Sequence, residues 1–246
     1  MVKNLFLIRH GHTIGSDTEK RYKGSIDVPL SEKGIIQIRQ TAKFISEFLK
    51  RDDKNVDDRE KMTKGLNAIY CSPLSRALKS AEIIAEPFGI TPKIIPDLRE
   101  RNFGIWEGMT FSEIRDKYPE EFEAWAGNPL IYCPIKGEST IEVRDRVIRA
   151  LDEILNSPIE QKEDMLIDNK GKDNSLKAYH ASEQDHFRIN VAIVAHGGVN
   201  RIILCHIMGI PLENIFRIEQ DYAAVNIIEF SEKYPVVKLL NGGFIG

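Results

Sequence analysis

Three observations predict an α/β fold, a three-layer sandwich with a mostly parallel sheet flanked by helices. Short apolar runs alternate with amphipathic helical stretches, the order that builds a parallel sheet through crossovers. Leu5-Phe6-Leu7-Ile8 and Val191-Ala192-Ile193-Val194-Ala195 are long enough and apolar enough to be buried strands. Both runs then stop in the same way, at a His followed by Gly. Ligands of open α/β sheets sit beyond the carboxyl ends of such strands, so the two arrests mark one candidate rim.

The first run ends at Arg9-His10-Gly11, where a strand turns. A guanidinium presents paired donors that suit phosphate oxygens, and a neutral imidazole can act as a nucleophile. Taken alone, the pair reads slightly better as a plain strand end. A polar loop from His12 to Leu30 follows, with Arg21, Lys23, Gly24 and Asp27; it is long for a strand-to-helix connection. Ser31 is positioned as an N-cap. Ile35, Ile38, Ala42, Ile45 and Leu49 then recur at helical spacing. Lys50 to Lys64 is charged and expected at the surface.

Ala68-Ile69-Tyr70 reads as a second strand ending at Cys71-Ser72-Pro73. A helix with Ala77, Ala81 and Ile84 on one face follows, closed by Gly89. Arg76 lies in its first turn, against the helix dipole, and so calls for an anionic partner. Locally, a surface carboxylate serves as well as a bound anion. Lys93-Ile94-Ile95 is a third strand. Leu98 to Gly108 carries Arg99, Glu100, Arg101, Phe103, Trp106 and Glu107, and its glycines, aromatics and alternating charges fit a shaped loop. Phe111 to Tyr118 is a short helix interrupted by Pro119, with Glu120 to Trp125 as a further turn. Ser139 and Glu142 have capping-box spacing and open a helix faced by Val143, Val147, Leu151 and Ile154. From 156 to 187 the chain is polar and without period. After His196-Gly197-Gly198 comes a helix with Val199, Ile202, Ile203 and His206, repeating the strand-His-Gly-helix order around His10. Val225 to Phe230 and Val236 to Leu240 form a hairpin.

Composition sets the outer limits. With 246 residues, 42% hydrophobic, 29% charged and a formal net charge of -3, the chain suits one α/β domain over 1–246 with a polar insertion at about 156–188. That charge gives no electrostatic case for nucleic acid, so basic chemistry must be local. No run is long enough to span a bilayer and no secretory signal is visible. Cys71, Cys133 and Cys205 are odd in number and lack C-x-x-C spacing, which reads as free thiols in the cytoplasm.

Five pieces occur in one order: Leu7-Ile8-Arg9-His10-Gly11, Ser72-Pro73-Leu74-Ser75-Arg76-Ala77, Leu98-Arg99-Glu100 with Phe103-Gly104, Gly137-Glu138-Ser139, and Ala195-His196-Gly197-Gly198. In this the chain resembles the histidine phosphatase superfamily, the phosphoglycerate mutase-like proteins. The resemblance implies that His10 becomes phosphohistidine, that Arg9, Arg76 and His196 hold the phosphoryl oxygens, and that Glu100 protonates the leaving group. Glu107 and Glu138 are the competing carboxylates. The resemblance extends phosphate binding to Thr13, Gly197 and Arg21. Members commonly carry Glu or Ser at the position of His12, and often Asn near Ser16, so the chain departs from the pattern there.

Arg21-Tyr22-Lys23-Gly24 with Asp27-Val28-Pro29-Leu30-Ser31 resembles the smaller phosphatases, including alpha-ribazole phosphatases. The further basic residues of the cofactor-dependent mutases are missing between Gly108 and Pro134. The reading is therefore a metal-independent, cofactor-free phosphomonoester hydrolase. Its expected substrate is a small phosphorylated metabolite such as alpha-ribazole phosphate, and a homodimer is left open. Three rivals stand beside it: a cofactor-dependent phosphoglycerate mutase, a non-catalytic binding module on the same fold, and a metallohydrolase using His10-x-His12 with Asp17. Against the last, Arg9 would sit beside the cation.

Overall fold

The computed structural model describes residues 2–17, 21–52, 65–158, 188–231 and 233–243. The expected insertion thus lies largely outside the described residues, as does most of the charged run from 50 to 64. Six strands form one sheet: β1 (Val2–Arg9), β2 (Ala68–Cys71), β3 (Lys93–Ile94), β4 (Arg188–Ala195), β5 (Val225–Phe230) and β6 (Pro235–Gly242). Their spatial order is β3-β2-β4-β1-β5-β6. β3, β2, β4 and β1 are mutually parallel; β5 runs antiparallel to β1, and β6 antiparallel to β5.

The layers follow from the two-residue period of β1. Leu5 and Leu7 face a core shared with α5 (Thr140–Asn156) and α6 (Gly197–Met208), through Val147, Leu151, Val199 and Ile203. Phe6 and Ile8 face the opposite core, formed with α1 (Glu32–Asp52) and α2 (Ser75–Ala85) through Ile38, Ile45, Ala77 and Ile84. Both faces of the central strands are therefore covered, which is why they are uniformly apolar. β4 starts at Arg188, earlier than the apolar run alone suggests, because its polar first residues complete the ladder with β1.

Helix boundaries follow local chemistry. Ser31 caps α1, its Oγ accepting from the Gly34 N–H at 3.1 Å. Ser139 and Glu142 form the reciprocal capping box of α5. α2 stops at Ala85, short of Gly89, because Pro87 cannot continue a helix; a 3₁₀ turn over Glu86–Phe88 closes at Gly89, whose φ is 60°. Pro119 does not interrupt a helix but starts one, α4 (Pro119–Gly127), directly after α3 (Phe111–Lys117). A missing N–H costs nothing in a first turn. A 3₁₀ segment over Leu212–Arg217 precedes β5 and has no clear sequence period. Cys71, Cys133 and Cys205 are free thiols.

Parallel registry aligns the carboxyl ends of three strands: Arg9 pairs with Ala195, and Cys71 with Val194. The residues that follow, His10, Ser72 and His196, thus emerge together on one rim.

Candidate active site

The end of β1 is clamped on both sides. The His10 N–H donates to the Ala195 carbonyl at 3.0 Å, and the Arg9 N–H to the Ala224 carbonyl at 3.1 Å. The His10 ring is buried, and its Nδ1 lies 2.8 Å from the Gly11 carbonyl. A carbonyl can only accept, so Nδ1 carries the proton and Nε2 keeps its lone pair. Burial, then the charges of Arg9 and Arg76, push the His10 pKa well below 6.5. The ring is neutral at pH 7.

His196 lies against it, ring centroids 5.2 Å apart. It is wholly buried, and burial together with His10, Arg76 and Arg9 also holds its pKa well below 6.5. Its Nε2 meets Ser72 Oγ at 2.7 Å, while Nδ1 has no protein partner. Arg76 is 2% exposed, and its two Nη atoms donate to the carbonyls of Ile26 and Gly24. The loop of residues 24–27 wraps this guanidinium, and Asp27 caps α2 by accepting from the Ser75 N–H and hydroxyl, each at 2.8 Å. Arg9 donates through Nη1 to the Gln220 carbonyl and stacks on the Tyr222 ring, 3.9 Å from its centroid. Its buried Nε has no protein acceptor. Behind it, the buried Gln220 and Asn226 amides exchange two hydrogen bonds of 2.9 Å each.

The structure thus brings Arg9, His10, Arg76 and His196 to one point, with Gly197 at the start of α6 beside Arg9. Buried donors without acceptors are rare. Two of them, Arg9 Nε and His196 Nδ1, lie in this cluster. An oxyanion supplies the acceptors they lack.

The three carboxylates separate cleanly. Glu100 accepts from the Arg101 N–H at 3.0 Å and from the Gly198 N–H at 3.3 Å, which places it against the α6 N-terminus. A Cβ on Gly198 would fall 2.7 Å from Glu100 Oε1, so only glycine admits this approach. Glu107 Oε1 is instead taken up by the Ser25 N–H and hydroxyl and the Phe103 N–H, and pins two loops together. Glu138 is bound by Arg146 and Arg99 and by the Asn102 N–H. Burial would raise the Glu138 pKa, but these bonds outweigh it and hold the carboxylate low.

Thr13 is fully buried next to the cluster and shares hydrogen bonds with Ser16 and Lys23. Arg21 is engaged outside the cluster of Arg9, His10, Arg76 and His196. Its guanidinium pairs with Glu113 at 2.8 Å and with the Gly108 carbonyl at 2.8 Å, at the rim of a neighbouring cavity. His12 is turned the other way: Nδ1 meets Ser31 Oγ at 2.8 Å and Nε2 meets Asp17 at 3.2 Å. The departures at His12 and Ser16 thus serve local hydrogen bonding. Among the described residues, no three His, Cys, Asp or Glu side chains group as metal ligands.

Lys23 and Tyr222 belong to the site although neither was a candidate for it in the sequence. Lys23 donates to Ser16 Oγ at 2.6 Å, and its charge helps lower the His10 pKa. Tyr222 packs on His10, with ring centroids 5.6 Å apart, and on His12 at 5.3 Å. Burial would raise its pKa, but Ser16, Arg9, Lys23 and Thr13 together lower it. The sequence signals were the place of Lys23 in the long loop and in Arg21-Tyr22-Lys23-Gly24, and the position of Tyr222 just before β5.

The chain is similar to known proteins along nearly its whole length. The model of the histidine phosphatase superfamily (branch 1) matches residues 5–167 and 173–242. Phosphoserine phosphatase 1 of Hydrogenobacter thermophilus is 28% identical over 243 residues, 98% of this chain and 92% of its own. Adenosylcobalamin/alpha-ribazole phosphatase of Escherichia coli is 23% identical over 242 residues, covering 98% and 97%. The fold is shared with the alpha-ribazole phosphatase of Shigella flexneri, at TM-score 0.71 and 23% identity over 99% of this chain and 98% of that one. A mycobacterial glucosyl-3-phosphoglycerate phosphatase superposes at TM-score 0.70 with 20% identity, covering 99% and 100%. The motifs, the rim they build and the match along nearly the whole sequence lead to one conclusion: the chain belongs to the histidine phosphatase superfamily, branch 1.

Proposed function

We propose that the protein hydrolyses phosphomonoesters through a phosphohistidine on His10. The observation that carries this reading is the state of the His10 ring: neutral, Nδ1 tied to the Gly11 carbonyl, and Nε2 left as a nucleophile between two guanidinium groups. His10 Nε2 attacks phosphorus while the bond to the ester oxygen breaks. Glu100, protonated at the outset, gives its proton to the departing oxygen. Water then attacks phosphorus and gives a proton to the Glu100 carboxylate. The P–N bond breaks and inorganic phosphate leaves.

Charge on the transferring group is met by Arg9, by Arg76 and by an Nδ1–H of His196, whose Nε2 accepts from the Ser72 hydroxyl. Phosphoryl transfer needs chiefly such positioning and charge. The two guanidiniums supply it without a metal, and chelator should leave the rate unchanged. The whole of 1–246 serves as one catalytic domain acting on a small phosphorylated molecule. Hydrolysis is favoured over mutase chemistry because the space beyond Glu100 is walled by aromatic rings.

The test is direct. Brief reaction with a ³²P-labelled monoester should leave acid-labile, base-stable label on the wild-type protein and none on His10→Ala. Label that persists in the variant removes His10 from the role. With 3-phosphoglycerate and its bisphosphate, isomerisation should be slow against hydrolysis of the best monoester.

A further inference from the structure

A cavity of about 600 Å³ opens from the phosphoryl site, sharing Arg9, Glu100 and Gly197 with it. Because Glu100 lies on their boundary, the oxygen it protonates must face this cavity, which makes the cavity the leaving-group side. Its size falls within the roughly 300–1,000 Å³ of sites for drug-sized ligands. A three-carbon alcohol would leave most of it to water.

The walls are aromatic. Phe111, Phe122 and Trp125 on α3 and α4 form a cluster with ring centroids 4.9 to 6.0 Å apart, and Trp106 lies 6.4 Å from Trp125. Phe103 and Phe216 also line the cavity. Two of these rings are costly to leave in water: Phe111 is 46% exposed and Phe216 75%. The cations that line the cavity away from Arg9 are held by protein acceptors. Arg21 is paired with Glu113, and Arg101 with the Glu138 and Tyr132 carbonyls and Thr140 Oγ1. Arg201 is bound to the Ile218 carbonyl and lies 3.9 Å from Glu219. Such a wall attracts flat, uncharged surface and offers little to a carboxylate.

We propose that this cavity is the leaving-group subsite, and that it selects phosphomonoesters of alcohols bearing a bulky, uncharged aromatic ring system over small carboxylated ones. The inference rests on the hydrolase reading above and narrows its substrate class.

The experiment compares kcat/KM for 2-naphthylmethyl phosphate, benzyl phosphate, O-phosphoserine and 3-phosphoglycerate, with p-nitrophenyl phosphate as a general probe. The first four all release a primary alcohol, so the chemistry at the breaking bond is comparable. Naphthylmethyl phosphate should exceed phosphoserine by about 10²-fold or more, as burying one aromatic group of 150–250 Å² allows, with benzyl phosphate between them. Phe111→Ala should reduce the naphthylmethyl-to-phosphoserine ratio about tenfold, mainly through KM. Phe216→Ser, at the more exposed position, should lower the same ratio and serves if the first variant folds poorly. Equal rates, a preference for phosphoserine or 3-phosphoglycerate, or ratios unmoved in both variants would overturn the subsite while leaving the hydrolase standing. No turnover of any ester, p-nitrophenyl phosphate included, would instead bring down the hydrolase reading and the inference with it.

Discussion

Glu100 and Glu107 share one loop but differ in what holds them, and this separates a candidate acid from a structural brace. Glu100 borders the candidate site, held among the described residues by two backbone N–H groups, whereas Glu107 Oε1 is shared by three donors. A positioned acid is worth about 10²–10⁴-fold when the leaving group is an alkoxide and much less for a stabilised anion. Glu100→Gln should therefore lower kcat/KM for an alkyl phosphate far more than for p-nitrophenyl phosphate. Equal losses would assign Glu100 to binding or structure, and a differential loss in Glu107→Gln would move the acid there. His10 makes a pH prediction. Because burial and two guanidiniums push its pKa well below 6.5, the proposed nucleophile stays unprotonated through mildly acidic pH. No acid limb from His10 should appear in kcat/KM near 6.5, which a pH profile checks. Arg9, His10 and His196 were legible because a polar arrest after an apolar strand is a local signal. Lys23 and Tyr222 were not. Their roles come from contacts between the first loop and the segment before β5, which no local pattern records. Arg21 looked equivalent to Lys23 in sequence, but Glu113 draws it away.

At the scale of elements, the site depends on two junctions. In the first, β4 turns into α6 at Gly198, where a Cβ would press on Glu100 Oε1. Gly198→Ala should therefore reproduce the substrate-dependent loss of Glu100→Gln with the glutamate itself unchanged. A loss equal for alkyl and aryl esters would contradict this. In the second, α5 holds the loop that carries Glu100. Arg146 donates to the carbonyls of Asp97, Arg99 and Glu100 while pairing with Glu138 at 2.9 Å. Arg146→Ala leaves a half-buried carboxylate and three loop carbonyls short of their donor. It should cost about 3 kcal/mol or more in denaturant unfolding, against about 1 kcal/mol for Ser139→Ala at the cap of the same helix. Similar losses would mean that Arg146 is not the clamp. The cap was readable because Ser139 and Glu142 are close in sequence. The clamp joins residues from distant elements, and Arg146 reads in sequence as one more charge on a helix.

Over the whole molecule, the buried neutral rings of His10 and His196 link stability to pH. In the unfolded chain both protonate near 6.5; in the folded one both resist it. The unfolded state then binds more protons below that value, so stability is full above pH 6.5 and falls as pH drops beneath it. Each such histidine contributes up to about 1.4 kcal/mol per pH unit across the interval. Urea midpoints should decline between pH 7 and 5.5, and His196→Asn should flatten the decline. A wild-type midpoint constant over this range would contradict the burial of neutral rings. The three layers and the single rim were legible in the alternation of strands and helices. The antiparallel join of β5 to β1 was not, because pairing direction across the sheet is set by topology and leaves no mark in periodicity.

That join has a consequence for how the molecule is made. Among the described residues, β1 is flanked by β4 and β5, and β2 by β3 and β4. Until residue 188 has been synthesised, the strand that carries His10 lacks its described partners, and β1 and β2 lack the strand that joins them. Long loops must close before these pairings repay their entropy. A fragment ending at residue 158 should stay unfolded, and a nascent chain on the ribosome should gain protease resistance only once β4 and β5 have emerged. The strand that carries His10 is then among the last to find its place.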